Sequence, residues 1–402
     1  RAGAEAALAP VVDGAVGVRG GRIAWVGPRA ELPAGARGPN TEVVDAGGGL
    51  VGPGFVDAHT HLVFAGERSR EFELRARGAS YLEIAAAGGG IANTMTATRA
   101  ASHDELMTLA RPRVQRLLEQ GVTCAEVKSG YGLSLQDELK MLEVASRLSA
   151  EGPLSLVPTL LCAHAVPPEF KEDRAGYVRL CEEEILPAVA KRGLARFFDV
   201  FCERSAFTAE ETRRLARAAK AHGLEIRLHV DQLTAGGGAE LAAELGAVSA
   251  DHLEQISPEG IAALARAGTV AVLVPTATFF LKLRKYAPGR ALWDAGVPVA
   301  LGTNLNPGSA FSENLAFTLS LAVLECGLTP AEAYWAATRG AALSMLEQDR
   351  GHLVPGAHAD LVVLSCKAVG HLPYHLGISH ARVVARSGQV VFSAGSSQTP
   401  CD

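Results

Sequence analysis

Two histidines spaced two apart, His59 and His61, stand near the end of an apolar run over 55–64. A strand has a side-chain period of two, so Asp57, His59 and His61 share one face. Two imidazoles side by side at the end of a buried strand suit one metal ion. Three more histidines, His164, His229 and His252, stand where later apolar runs end, so five of the twelve histidines converge on strand ends. A metal held by imidazoles and an oxygen ligand, with one open position, acidifies water and polarises a carbonyl. The chemistry implied is attack of an activated water on an amide, amidine or ester carbon. It needs a base or proton shuttle, and a group to hold the oxyanion or the leaving nitrogen.

The elements that must position these residues alternate. Strands are expected near 122–128, 154–160, 197–203, 224–230, 247–251, 270–275 and 297–303, after the first over 55–61. Most are apolar throughout, as strands buried on both faces are. Helical patterns separate them. Ser102 with Glu105, and Thr208 with Glu211, form capping boxes, and Pro112 implies a kink or a boundary inside the first of these helices. Eight such units over 53–348 predict an α/β fold, a (β/α)8 TIM-like barrel. Its chemistry belongs at the C-terminal strand ends, which also carry Lys128 and Tyr131, Glu203, and Asn304 with Asn306, Gly308 and Ser309. Lys128 reads as an ion-pair or substrate residue and Glu203 as a supporting carboxylate. Gly88-Gly89-Gly90 reads as a turn, and Gly236-Gly237-Gly238 as a weak anion-binding candidate. A hairpin over 15–27, a strand over 41–44 and three strands after about 350 predict a small β-sandwich built from both termini, 1–52 and 349–402.

Of the 402 residues, 48% are hydrophobic and 20% charged, so a sizeable core is available. The net charge of −5 favours neither nucleic acid nor an anionic membrane as partner. Seven widely spaced cysteines with no Cys-x-x-Cys pair imply reduced thiols and a cytoplasmic location. The first residues show no basic segment followed by an apolar one, as a signal peptide would. The most apolar window, 269–281, is too short to span a bilayer.

These residues resemble the amidohydrolase superfamily, whose barrels begin with a His-x-His strand. More closely, the chain resembles the imidazolonepropionase family. The matching stretches are DAHTHLVFAGER (57–68), EVKSGYGL (126–133), AHAVPPEF (163–170), DVFCE (199–203), GGGAELAAELGAVSADHLE (236–254), DAGVPVALGTN (294–304) and NPGS (306–309). The resemblance implies hydrolysis of 4-imidazolone-5-propanoate, a small-molecule substrate, to N-formimidoyl-L-glutamate in histidine degradation. It implies one divalent metal ion, zinc or iron, held by His59, His61, His229 and residue 304, and a homodimer. It assigns Arg68 to the propanoate carboxylate and Tyr131 to substrate. His164 and Gln232 would contact the ring being opened, and His252 would share the proton work. Asn306, Gly308 and Ser309 would bind substrate or product. Two positions depart from the family pattern: Asn304 stands where Asp is usual, and Gln232 where many relatives have Glu. The alternatives this leaves are another amidohydrolase reaction, such as nucleobase deamination, or a metal-poor relative of low activity. Water activation would then fall to the metal, His252 and Asp251.

Overall fold

The computed structural model describes residues 8–79, 83 and 89–394. Three strands, β1 (Gly14–Arg19), β2 (Arg22–Pro28) and β3 (Val51–Pro53), precede the barrel. Eight parallel strands follow: β4 (Phe55–Asp57), β5 (Val122–Lys128), β6 (Ser155–Ala163), β7 (Phe197–Cys202), β8 (Glu225–Val230), β9 (Ser249–His252), β10 (Val270–Leu273) and β11 (Val299–Leu301). They pair in chain order from β4 to β11. The ring is then tied shut beyond the last ladder residues. Ala58 N–H donates to Leu301 O at 3.1 Å, Asn304 N–H to His59 O at 2.9 Å and His61 N–H to Leu305 O at 2.9 Å. This closure needs a bare backbone at Gly302, where a β-carbon would lie 2.6 Å from His59 Cβ.

Helices cover the outside. Their apolar faces and the strands form one continuous core that includes Leu117, Val127, Leu160, Phe198, Leu228 and Leu301, all buried. The capping boxes at Ser102 and Thr208 are present. The helix His103–Glu119 runs unbroken through Pro112, so no boundary occurs there. The long helix before β7 runs from Arg174 to Arg192, with one wider turn over Cys181–Ile185. Strand ends differ from the sequence reading by at most four residues, and β5 matches it at both ends, as backbone pairing rather than composition sets them.

Both termini contribute the remaining β-structure. The strands β12 (Leu361–Leu364), β13 (Ala381–Arg386) and β14 (Gln389–Ser393) make a four-stranded antiparallel sheet in the order β14-β13-β12-β3. Ser387 and Gly388, with φ of 47° and 77°, form the tight turn between β13 and β14. The β1–β2 hairpin is sewn to the C-terminal segment through Ile23 N–H to Ala357 O at 2.9 Å and Ala359 N–H to Gly21 O at 3.0 Å. Ile23, Ala357 and Ala359 bury its inner face. The strand expected over 41–44 is absent; that segment is exposed loop. All six cysteines among the described residues are free thiols; Cys401 lies outside them. No helix among the described residues is long and apolar enough to cross a membrane. Gly88, one of the three glycines read as a turn, lies outside the described residues.

Candidate metal centre

β4 delivers His59 and His61, and β8 delivers His229. One ligand nitrogen from each lies within 4.8 Å of the others, and all three rings are buried. His59 meets His61 with ring centroids 5.3 Å apart, and His229 at 4.5 Å. Burial drives the His59 and His61 pKa values well below the usual 6.5, and neighbouring positive charge adds to this. His229 is lowered too, against the pull of Asp199. All three are therefore neutral at pH 7, the form that ligates a cation. His59 Nε2, His61 Nδ1 and His229 Nε2 are buried without a hydrogen-bond partner. Orphaned lone pairs converging in one place fit a divalent metal.

The rings are held from beneath. His59 Nδ1 pairs with Asp251 Oδ2 at 2.7 Å. His229 Nδ1 sits 3.0 Å from Asp199 Oδ2, in ion-pair range but off the axis of a hydrogen bond. Both carboxylates are shared with Lys128, whose ammonium lies 2.7 Å from Asp199, 2.7 Å from Glu126 and 3.5 Å from Asp251. Arg227 completes the layer at 3.2 Å from Asp251 and also donates to Ala58 O at 2.9 Å. All five charged groups are fully buried. Burial works to raise the Asp251 pKa, but Arg227, Lys128 and His59 together hold it well below the ordinary value. Asp251 is thus a carboxylate committed to His59, Lys128, Arg227 and, at 2.6 Å, the Ser249 hydroxyl. It has no oxygen to spare as a base, contrary to the sequence reading. Lys128 is an ion-pair residue. Carboxylates behind metal-binding imidazoles orient the rings and raise their basicity.

Other carboxylates near the strand ends tie down loops. Glu138 accepts from Gly130, Gly132 and Leu133 N–H at 3.2, 2.9 and 2.8 Å, fixing the turn that carries Tyr131. Glu203 accepts from Leu233 N–H at 2.8 Å and the Thr234 hydroxyl at 2.7 Å, just after Gln232. Asp231 accepts from Gly236, Gly238 and Ala239 N–H at 2.8–3.1 Å. It fills the glycine-rich turn, which therefore offers no anion site. Arg113 reaches from its helix to Leu62 O and Phe64 O, both at 2.9 Å, and pins the chain just past His61.

His164 stacks on His61 with centroids 5.3 Å apart, and its Nδ1 bonds Gly130 O at 3.0 Å. Burial pushes its pKa down to about 3. Tyr131 lies 5.8 Å from His61 and 5.5 Å from His164, centroid to centroid. His252 stands 5.4 Å from His59 and 5.2 Å from His229. Gln232 is buried at the end of β8.

The loop after β11, the eighth strand of the barrel and here the strand-eight loop, closes on itself. Asn306 accepts from Gly308 and Ser309 N–H at 2.8 Å and donates to Asn304 O at 2.7 Å. Its side chain therefore shapes the loop. Asn304, at φ 56°, donates its amide to Ser309 Oγ at 3.2 Å. Arg68 docks on the same loop: a β-carbon at Gly308 would collide with Arg68 Nη1. Arg68 Nε donates to Glu71 Oε2 at 2.8 Å, and Nη2 lies 2.6 Å from that oxygen. One edge of the fork is thus already taken by Glu71. The sequence reading missed Glu71, Glu126, Asp199 and Arg227. The signal for the last three was present, since each is a charge placed inside a mostly apolar, buried strand.

Barrel and site together define an amidohydrolase. A model of the amidohydrolase family matches residues 75–392, and the chain belongs to that family. Within it, the chain belongs among the imidazolonepropionases. It is 66% identical to imidazolonepropionase of Myxococcus xanthus (strain DK1622), over 96% of this chain and 92% of that one. It is 48% identical to that of Geobacillus kaustophilus (strain HTA426), over 96% and 92%. A model of the bacterial imidazolonepropionase-like composite domain matches residues 14–35. In fold the chain is similar to 5-methylcytosine deaminase from Klebsiella pneumoniae liganded with 5-fluorocytosine. There the TM-score is 0.75 at 16% identity, covering 95% of each chain.

Proposed function

We propose that this chain hydrolyses 4-imidazolone-5-propanoate to N-formimidoyl-L-glutamate in histidine degradation. Water adds its oxygen to the ring carbonyl carbon, the ring C–N bond breaks, and the nitrogen leaves with a proton. The observation that carries this reading is the meeting of two features at one face. Three neutral buried imidazoles converge there, and a buried guanidinium borders the loop that follows strand eight. Arg68 gives the site an anion-binding group that a neutral nucleobase would not need.

A divalent ion, zinc or iron, supplies acidity to water and polarisation to the carbonyl. His59, His61 and His229 hold it through the nitrogens left open by their neighbours. Asn304 completes the set through Oδ1, since its Nδ2 is given to Ser309. Arg68 pairs with the propanoate carboxylate through Nη1. Tyr131, His164 and Gln232 orient the ring, and His252 moves the proton to the leaving nitrogen. Gly308 and Ser309 line the substrate from the strand-eight loop, and Asn306 keeps that loop in shape. The protein works in the cytoplasm as a homodimer.

Asn304 brings no charge to the metal. A carboxylate at that position adds a full negative charge beside the dication, so Asn304→Asp is expected to tighten metal binding by about tenfold or more. Metal analysis and hydrolysis of imidazolonepropanoate by the parent and by Asn304→Asp test the proposal. Turnover by the parent supports it. No metal and no turnover in the parent, with both restored by Asp, would show a low-activity member of the family.

A further inference from the structure

Beside the metal centre, two buried polar atoms have no hydrogen-bond partner: His252 Nδ1 and Glu254 Oε2. They come from the same short segment. His252 ends β9 with φ 84°, and Leu253 follows with φ 72°. Two successive residues with β-carbons in the left-handed region are strained and persist only where surroundings over-determine them. Leu253 N–H donates to Val230 O at 3.2 Å and Gln255 N–H to Asp231 O at 2.7 Å, so β8 holds this turn in place. The turn folds Glu254 back on its neighbour. Glu254 Oε1 lies 3.8 Å from His252 Nδ1 and accepts from the Thr278 hydroxyl at 2.8 Å. His252 is 2% exposed and Glu254 1%.

The other carboxylates around the site are spoken for. Asp199 and Asp251 are bound to Lys128, and Glu203 and Asp231 to loop N–H groups. Residues 232 and 304 are amides. Among the described strand-end carboxylates of β7 to β9, Glu254 is the one with a buried oxygen still open.

We propose that Glu254 is a positioning residue for His252. It accepts the Nδ1 proton, which fixes Nε2 as the basic nitrogen and sets the ring's angle to the substrate. The 3.8 Å gap closes to a hydrogen bond when substrate fills the site, as catalytic contacts commonly tighten on binding. The Thr278 hydroxyl holds Oε1, the oxygen nearest His252, and leaves Oε2 open. The inference rests on the reading of His252 as proton carrier, and it gives this chain a carboxylate where residues 232 and 304 supply none.

The test uses the metal-loaded full chain labelled with [15N]histidine. His252 signals are assigned by their loss in His252→Gln. The expected result is a fixed Nδ1–H tautomer in the parent with substrate or product bound, lost in Glu254→Met. In kinetics, Glu254→Met is expected to lower kcat by about 10–100-fold with KM within about threefold and metal content unchanged. In a His252→Gln background the same change is expected to cost less than about twofold. Thr278→Val, which keeps the carboxylate but frees Oε1, is expected to preserve the tautomer and to lower kcat by less than Glu254→Met does. An Nε2–H tautomer in the liganded parent, or additive losses in the double variant, would overturn the proposal. A parent that binds substrate without turnover defeats the hydrolase reading, while the tautomer still decides the role of Glu254.

Discussion

The two halves of the metal centre are built on opposite principles. On the β4 and β8 side, each ring that touches a carboxylate is held through Nδ1, and the nitrogens beyond are left bare. On the side of the loop after β11, Asn304, Asn306 and Ser309 satisfy one another. The first half is a set of prepared lone pairs on a charged bed; the second is a neutral loop closed by its own amides. The difference teaches where the site's free energy is stored. Buried lone pairs facing nothing are costly, and only a cation repays them. A loop that satisfies itself costs little and can hold a shape without any ligand.

The largest expected effect comes from breaking the bed beneath the imidazoles. Lys128→Met leaves Glu126, Asp199 and Asp251 with Arg227 as their sole cation in the layer. Removing one partner of a buried ion cluster costs about 3–5 kcal/mol. Urea denaturation of the metal-free protein measures it. The same variant should bind metal about 10–100-fold more weakly, read by chelator competition. Full metal affinity in a destabilised variant would mean that the bed only supports the fold.

Acid tests the same half from the other direction. The folded chain keeps His59, His61, His164 and His229 neutral, whereas unfolded imidazoles take up protons below about 6.5. Unfolding therefore binds protons, and the stability present above pH 6.5 is lost as pH falls below it. Each histidine contributes a slope of about 1 kcal/mol per pH unit. Asp57, buried and hydrogen-bonded to Thr303, opposes the trend. Its pKa is raised to about 7, so the folded form gains a proton that the unfolded form takes up only near 3.8. One carboxyl against four imidazoles leaves a net loss of about 3 kcal/mol over the first unit below 6.5. Urea midpoints of metal-free protein at pH 7 and 5.5 check this; equal midpoints would contradict neutral, buried ligands.

The smallest effect probes the neutral half. Gly308→Ala places a methyl group against Arg68 Nη1 and must displace the guanidinium. KM for imidazolonepropanoate is expected to rise about tenfold, the worth of one charge-assisted contact, with kcat less changed. A matched analogue lacking the propanoate should show no such rise. An equal penalty for both would remove Arg68 from carboxylate recognition.

Much of the molecule was legible in its residues. His59 and His61 announced a strand-end metal pair because strand periodicity places alternate residues on one face whatever the rest of the fold does. Eight apolar runs separated by helical patterns announced the barrel, because strands buried on both faces are mostly apolar. The 41–44 segment misled because β-branched residues suit an exposed loop as well as a strand. Pro112 misled because a helix packed along its length tolerates one missing hydrogen bond. What local sequence determined, then, was which residues stand at strand ends. Which of them face a neighbour, and which face nothing, only the tertiary structure decided. Asp251 looked like a base and proved to be an ion-pair partner, and Glu254 drew no notice until its carboxylate was found 3.8 Å from His252 Nδ1. Hydrogen-bond satisfaction is a sum over neighbours brought together by closure of the barrel, and no short stretch of sequence contains that sum.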